Sequence, residues 1–85
     1  MKKLLYFTAH WCGPCKQLSP VMARLGLSGE MNIEKVDIDA QSEMAAQYNV
    51  KSIPTVVKLD GSGNEIGRFV GYQNEDYIKQ FYNNY

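Results

Sequence analysis

Two cysteines, the only two in a chain of 85 residues, lie in the stretch Trp11-Cys12-Gly13-Pro14-Cys15-Lys16, which also holds the only tryptophan. Two thiols separated by two residues can close a disulfide and reopen it, so their spacing points to thiol–disulfide exchange. An apolar run with the character of a strand precedes them, and residues with helical spacing follow. Cys12 therefore falls at the start of a helix. Unpaired N–H groups and the positive end of the helix dipole favour a thiolate there, and the thiolate is the attacking species. Cys12 is expected to have its sulfur open to solvent. Cys15, nearly one turn further on, is expected to be more shielded. Other uses of the pair fit less well. A structural zinc ion needs four ligands, and the chain offers these two cysteines and one histidine, His10. A bridge across two residues closes a loop too small to constrain the unfolded chain much, so it is a poor staple. No metal or cofactor is expected.

The elements that must hold this pair follow from the apolar pattern. Lys3 to Thr8 is a continuous apolar stretch of strand length and predicts a buried central strand. Ala9-His10-Trp11 is a loop that delivers Cys12. Pro14 falls in the first helical turn, where a missing N–H costs nothing. With Gly13 it also sets how readily the bridge closes. Leu18, Val21, Met22 and Leu25 mark one buried face of the helix. Pro20 is expected to kink it, and Gly26 and Gly29 to bracket its end. Met31 to Asp39 alternates and predicts a second strand, joined to the first by a right-handed parallel crossover. A short helix from Ser42 to Tyr48 has Met44, Ala45 and Tyr48 as its inner face. Thr55 to Leu59 is a third strand. Asp60 to Asn64 is a hairpin turn rich in residues that tolerate positive φ, and Glu65 to Val70 returns antiparallel. Asn74 caps a last helix, with Glu75 and Asp76 complementing its dipole. Tyr77, Ile78, Phe81 and Tyr82 form that helix's apolar stripe. The expected fold is α/β, in the order β-α-β-α-β-β-α: a four-stranded mixed sheet, strand order 2-1-3-4, flanked by three helices in a single domain, 1–85.

Composition narrows the function. Lys plus Arg equals Asp plus Glu, nine each, so the net charge is zero. That argues against a nucleic-acid surface, which needs a basic excess, and against electrostatic attachment to a membrane. Met1 to Phe7 is too short for a signal peptide, and no apolar run reaches the length of a membrane span. With no cysteine left over for structural bridges, a reducing, cytoplasmic setting is expected.

The stretch Trp11-Cys12-Gly13-Pro14-Cys15-Lys16 resembles the active-site signature of the thioredoxin family. The resemblance extends from Leu4 to the last helix through Phe7, Ala9, Pro20, Lys35, Asp39, Ile53-Pro54-Thr55 and Val70-Gly71. It implies a thioredoxin-like fold and a protein-disulfide reductase. Cys12 would attack a partner's disulfide, and Cys15 would resolve the mixed disulfide. It also implies a cis bond at Ile53-Pro54, in a turn that lies against the sulfurs. The substrate groove is expected to be apolar, lined by Trp11, Gly13, Pro14, Ile53, Pro54, Val70 and Gly71. The partners implied are proteins that contain disulfides and a thioredoxin-reductase-type electron donor, with the chain acting as a monomer.

Two departures from the family pattern stand out. The family's usual first strand and helix have no counterpart, which would leave one sheet edge uncovered. Tyr6 occupies the place of a buried aspartate thought to take the proton of the second thiol, although Lys35 occupies the place of the buried lysine that neighbours it. A phenol is a far weaker base at neutral pH. Cys15 is therefore expected to lose its proton to water or another nearby group. Tyr6 would hydrogen-bond Lys35 or fill space. His10 is a candidate helper set against a solvated loop histidine, and Lys16 a nearby charge set against a solvated helix lysine. Thr8 replaces a tryptophan common in the family. Two alternative functions carry less support: a glutaredoxin-like donor, for example to a ribonucleotide reductase, and a docking subunit of a larger enzyme.

Overall fold

The computed structural model describes residues 1–84. Tyr85, the end of the domain expected from the sequence, lies outside the described residues. The elements run β1 (Lys3–Thr8), α1 (Gly13–Leu27), β2 (Ile33–Asp37), α2 (Ser42–Gln47), β3 (Thr55–Leu59), β4 (Glu65–Val70) and α3 (Glu75–Asn83). The sheet order is β2-β1-β3-β4. β1 pairs parallel with β2 and antiparallel with β3, and β3 pairs antiparallel with β4. This is the order and mixed pairing that the sequence predicts.

β1 is central because it is apolar on both sides. Its alternate residues feed two cores. Leu4 and Tyr6 pack with Leu18, Met22 and Leu25 of α1 and Ile78 of α3. Leu5 and Phe7 pack with Val36, Val57 and the expected Met44, Ala45 and Tyr48, the last of which caps α2 rather than lying within it. Leu4 and Leu18 are fully buried, and burial of each such side chain stabilises the fold by about 2 kcal/mol. The sheet thus lies between α1 and α3 on one face and α2 on the other.

One strand boundary and one burial assignment differ from the sequence expectation. β2 covers Ile33–Asp37 rather than Met31–Asp39. The Asp37 carboxylate accepts the N–H of Asp39 at 2.8 Å and turns the chain out of the strand. As expected, Gly26 and Gly29 bracket the end of α1, which runs through Pro20 to Leu27; Ser28 caps it and Gly29, at φ +82, follows. Tyr77 is 43% exposed and lies at the edge of the α3 stripe, where its ring meets Phe69 edge-on. Ile78 is the fully buried member of that stripe.

Candidate active site

The loop after β1 turns tightly, with Cys12 N–H donating to the Ala9 carbonyl at 3.2 Å. Cys12 is the N-cap of α1, in extended backbone, and its sulfur accepts the N–H of Cys15 at 3.2 Å. A sulfur in this position meets one of the helix's unpaired donors. No acidic residue stands in the first turn to oppose the dipole, so negative charge on that sulfur is favoured. Cys12 and Cys15 are joined as a disulfide, with Cα atoms 5.2 Å apart.

The two cysteines are 5% and 1% exposed, respectively. Cys12 is the more accessible, as expected, but it is not open to solvent. Ala9, Ile38 and Ile53 cover it, and the Ile53 carbonyl lies 3.8 Å from its sulfur. Ile53 comes from the loop before β3, 41 residues along the chain. The Ile53-Pro54 bond is cis, in agreement with the resemblance.

Beyond this cover, exposed side chains and loop backbone flank the disulfide. The Pro54 carbonyl accepts Gly71 N–H at 2.8 Å, which joins the loop before β3 to the end of β4. Gly71 is at φ +90, a conformation that favours glycine. Val70 and Trp11 are 52% and 59% exposed. No heavy atom lies within 4 Å of where a Cβ would stand at Gly13. Trp11 is held by its indole N–H, which donates to Asp39 at 2.8 Å. It lines a recess of about 340 Å³ together with Ile53, Ile38 and Lys51. Of the candidate groove residues, Trp11 and Ile53 thus share one recess, and the Pro54–Gly71 bond ties the end of β4 to the same loop.

Cys15 faces elsewhere. It lines a cleft of about 470 Å³ between α1 and β2, with His10, Lys16 and Lys35. Tyr6 is 1% exposed and does not bond Lys35. Its hydroxyl donates to the Cys15 carbonyl at 3.2 Å and lies 2.8 Å from Ser19 Oγ. Lys35 pairs with Tyr6 across the strands but is exposed rather than buried, because β2 is an edge strand of the described sheet. Ser19 is absent from the sequence-derived site. Its distance from Cys15 carried a signal, since residues four apart share a helix face.

A reversible dithiol at the start of a helix, on a mixed sheet with helices on both faces, is the arrangement of a thiol–disulfide oxidoreductase. The family model for thioredoxin matches residues 1–84, and the chain belongs to the thioredoxin family. It is 46% identical to a thioredoxin from Chlamydia trachomatis over 74 residues, which are 86% of this chain and 72% of the relative. It is 38% identical to a thioredoxin from Staphylococcus epidermidis over 80 residues, 92% of this chain and 76% of the relative. Among solved structures, a mutant thioredoxin from Halobacterium salinarum superposes with a TM-score of 0.89 at 34% identity, covering 99% of this chain and 74% of that one. The chain is thus a protein-disulfide oxidoreductase whose substrates and electron donor are, in general terms, disulfide-containing proteins and a reductase. Among the described residues no helix is long and apolar enough to cross a membrane.

Proposed function

We propose that residues 1–85 act as one domain that reduces disulfides in partner proteins, with Cys12 as nucleophile and Cys15 as resolving thiol. Cys12 thiolate attacks a partner disulfide and forms a mixed disulfide. Cys15 then attacks the Cys12 sulfur, the partner leaves reduced, and Cys12–Cys15 is oxidised. The observation that carries this assignment is the N-cap position of Cys12, whose sulfur accepts the Cys15 N–H. The partner segment lies along Trp11, Gly13, Pro14, Ile53, Pro54, Val70 and Gly71, and pairs with the backbone at Ile53 by strand addition. The protein works as a monomer in the reducing cytoplasm, where a thioredoxin-reductase-type enzyme restores the dithiol. It carries electrons from that enzyme to partner disulfides and so serves cell redox homeostasis. That both cysteines belong to one pair supports this setting.

Mass spectrometry after reaction with a disulfide-bonded peptide tests the roles. Reduced Cys15→Ser accumulates a one-to-one mixed disulfide at Cys12, and Cys12→Ser does not react at a comparable rate. Turnover by Cys12→Ser would overturn the assignment. The direction of transfer is read from the reduction potential of the pair. A value at or below the cytosolic glutathione poise, about −220 to −260 mV by extraction methods, is expected of a reductant.

A further inference from the structure

Tyr6 bonds a backbone carbonyl and a serine, so the hydroxyl is not directed at a sulfur. The proton of Cys15 must leave by another route. The 470 Å³ cleft supplies one, because Cys15 lines it and it is open to water. Thr8 and Asp37 are register partners at the ends of β1 and β2, and both line the cleft. A threonine at position 8 fills little of that space. Asp37 is half-buried. Both side-chain bonds in its turn, from Asp39 and Ala40 N–H, fall on Oδ1, and the Asp37 carbonyl accepts Ala40 and Gln41 N–H. Oδ2 takes no part in the turn.

We propose that Asp37 accepts the Cys15 proton through cleft water, in place of a carboxylate at position 6. The proposal rests on the exchange function above. The Cys15 thiol proton passes to water and the water's proton to Asp37 Oδ2. Cys15 sulfur forms its bond to Cys12 sulfur as the bond from Cys12 to the partner sulfur breaks. The partner leaves as a thiolate and takes the proton back from the Asp37 carboxyl through the same water. The charged and titratable groups facing Asp37 are Cys15 and Lys16 from α1, Lys35 from β2 and His10 from the preceding loop, with Asp39 in its own turn. Lys16 and Lys35 place positive charge toward the thiolate as it forms, which favours it.

Asp37→Asn is the test, because the amide oxygen keeps the turn bonds while the base is removed. Rapid acid quench and mass spectrometry follow the mixed disulfide of the full chain with a disulfide-bonded peptide, from about pH 6 to about pH 8. In Asp37→Asn, release at neutral pH is expected to slow on the order of 10²-fold, the loss typical of a removed general base. Mixed-disulfide formation is expected to stay within about twofold of the parent, because only the release step uses the base. The variant's release should also rise about tenfold per pH unit, as the thiolate fraction does below a thiol's pKa, while the parent changes less. Unchanged release in Asp37→Asn overturns the proposal. So does an equal slowing of both steps, or the same loss in His10→Gln instead. If the parent forms no mixed disulfide at Cys12, the exchange function itself is wrong, and that result is separable from the others.

Discussion

Tyr6→Phe removes one oxygen from a buried ring and separates a structural hydroxyl from a chemical one. The ring is 1% exposed, and phenylalanine fills the same space. The bond to Ser19 Oγ, at 2.8 Å, is of ordinary length. The bond to the Cys15 carbonyl, at 3.2 Å, is long for a hydroxyl donor, and that carbonyl keeps its place in the helical ladder. Ser19 is only half-buried, so water can satisfy its hydroxyl. The net loss is therefore that of a single hydrogen bond, about 1 kcal/mol. For a domain of this size that lowers the melting temperature by about 4–8 °C. Neither bond reaches a sulfur, so the oxidised and reduced forms lose the same stability. The reduction potential then stays within about 10 mV, on a scale where about 30 mV is about 1.4 kcal/mol. Urea denaturation of both redox forms, with the potential measured in graded dithiol buffers, checks all of this. A stability change below the error of the measurement would refute the energetic argument. A potential moved by about 30 mV, or a collapse of mixed-disulfide release, would show that the hydroxyl acts on the sulfurs after all.

Two further predictions concern stability away from the disulfide. Hydrogen bonds from Arg68 hold the Glu65 carboxyl below its ordinary range against the opposing effect of burial, and the charge of Arg68 adds to them. A depressed carboxyl contributes stability that is present above its unfolded value and is lost as pH falls through the folded one. Glu65→Gln should therefore flatten the acid side of the stability curve below the ordinary carboxyl value of 4.5, as read from urea midpoints; parallel curves would refute it. Lys58 is 3% exposed, and its ammonium donates to the Phe81 and Asn84 carbonyls at 2.7 and 2.9 Å. Burial lowers its pKa, and Lys2 lowers it further. Lys58→Met removes those donors and should speed amide exchange in the last turn of α3 about tenfold; unchanged exchange would mean that the helix end is held by other contacts.

What the sequence made legible is what short-range chemistry decides. The apolar run of β1, the helical steps of Leu18, Met22 and Leu25, and the crossover order all depend on neighbours within a few turns. Cys12 as N-cap depends on a residue three positions away. The features that escaped are set by contacts far along the chain. The resemblance implies the Ile53 turn against the sulfurs, but not that this residue, 41 positions from Cys12, leaves the Cys12 sulfur covered rather than open to solvent. Asp39 anchors Trp11 from 28 residues away. Lys58, inside a wholly buried strand, depends on carbonyls 23 and 26 residues on. Lys35 shows the limit of resemblance itself. Its place in the pattern implied burial, but on an edge strand it is exposed. The short β2 has a local cause that alternation alone could not reveal, because the aspartate that continues the polar pattern also ends the strand.

The two sulfurs, bonded to each other, look onto opposite surroundings. Cys12 lies against the loop before β3, where the Ile53 carbonyl approaches its sulfur and the Pro54 carbonyl ties the loop to Gly71. Cys15 is among the residues that line a cleft on the side of β2, with Asp37, Lys16 and Lys35 at its walls. Exchange needs both environments: a partner chain must reach the first sulfur, and a proton must leave the second. Placing these on separate sides lets a bound partner cover Cys12 without sealing the water route from Cys15. The parallel pairing of β1 with β2 makes this possible, because it ends with Thr8 and Asp37 in register directly under the first turns of α1. A carboxylate at the end of β2 can thus serve the position that β1 leaves without a base. Tyr6 is then free to do what its buried ring and two hydrogen bonds show, which is to fix the helix turn that carries Cys15.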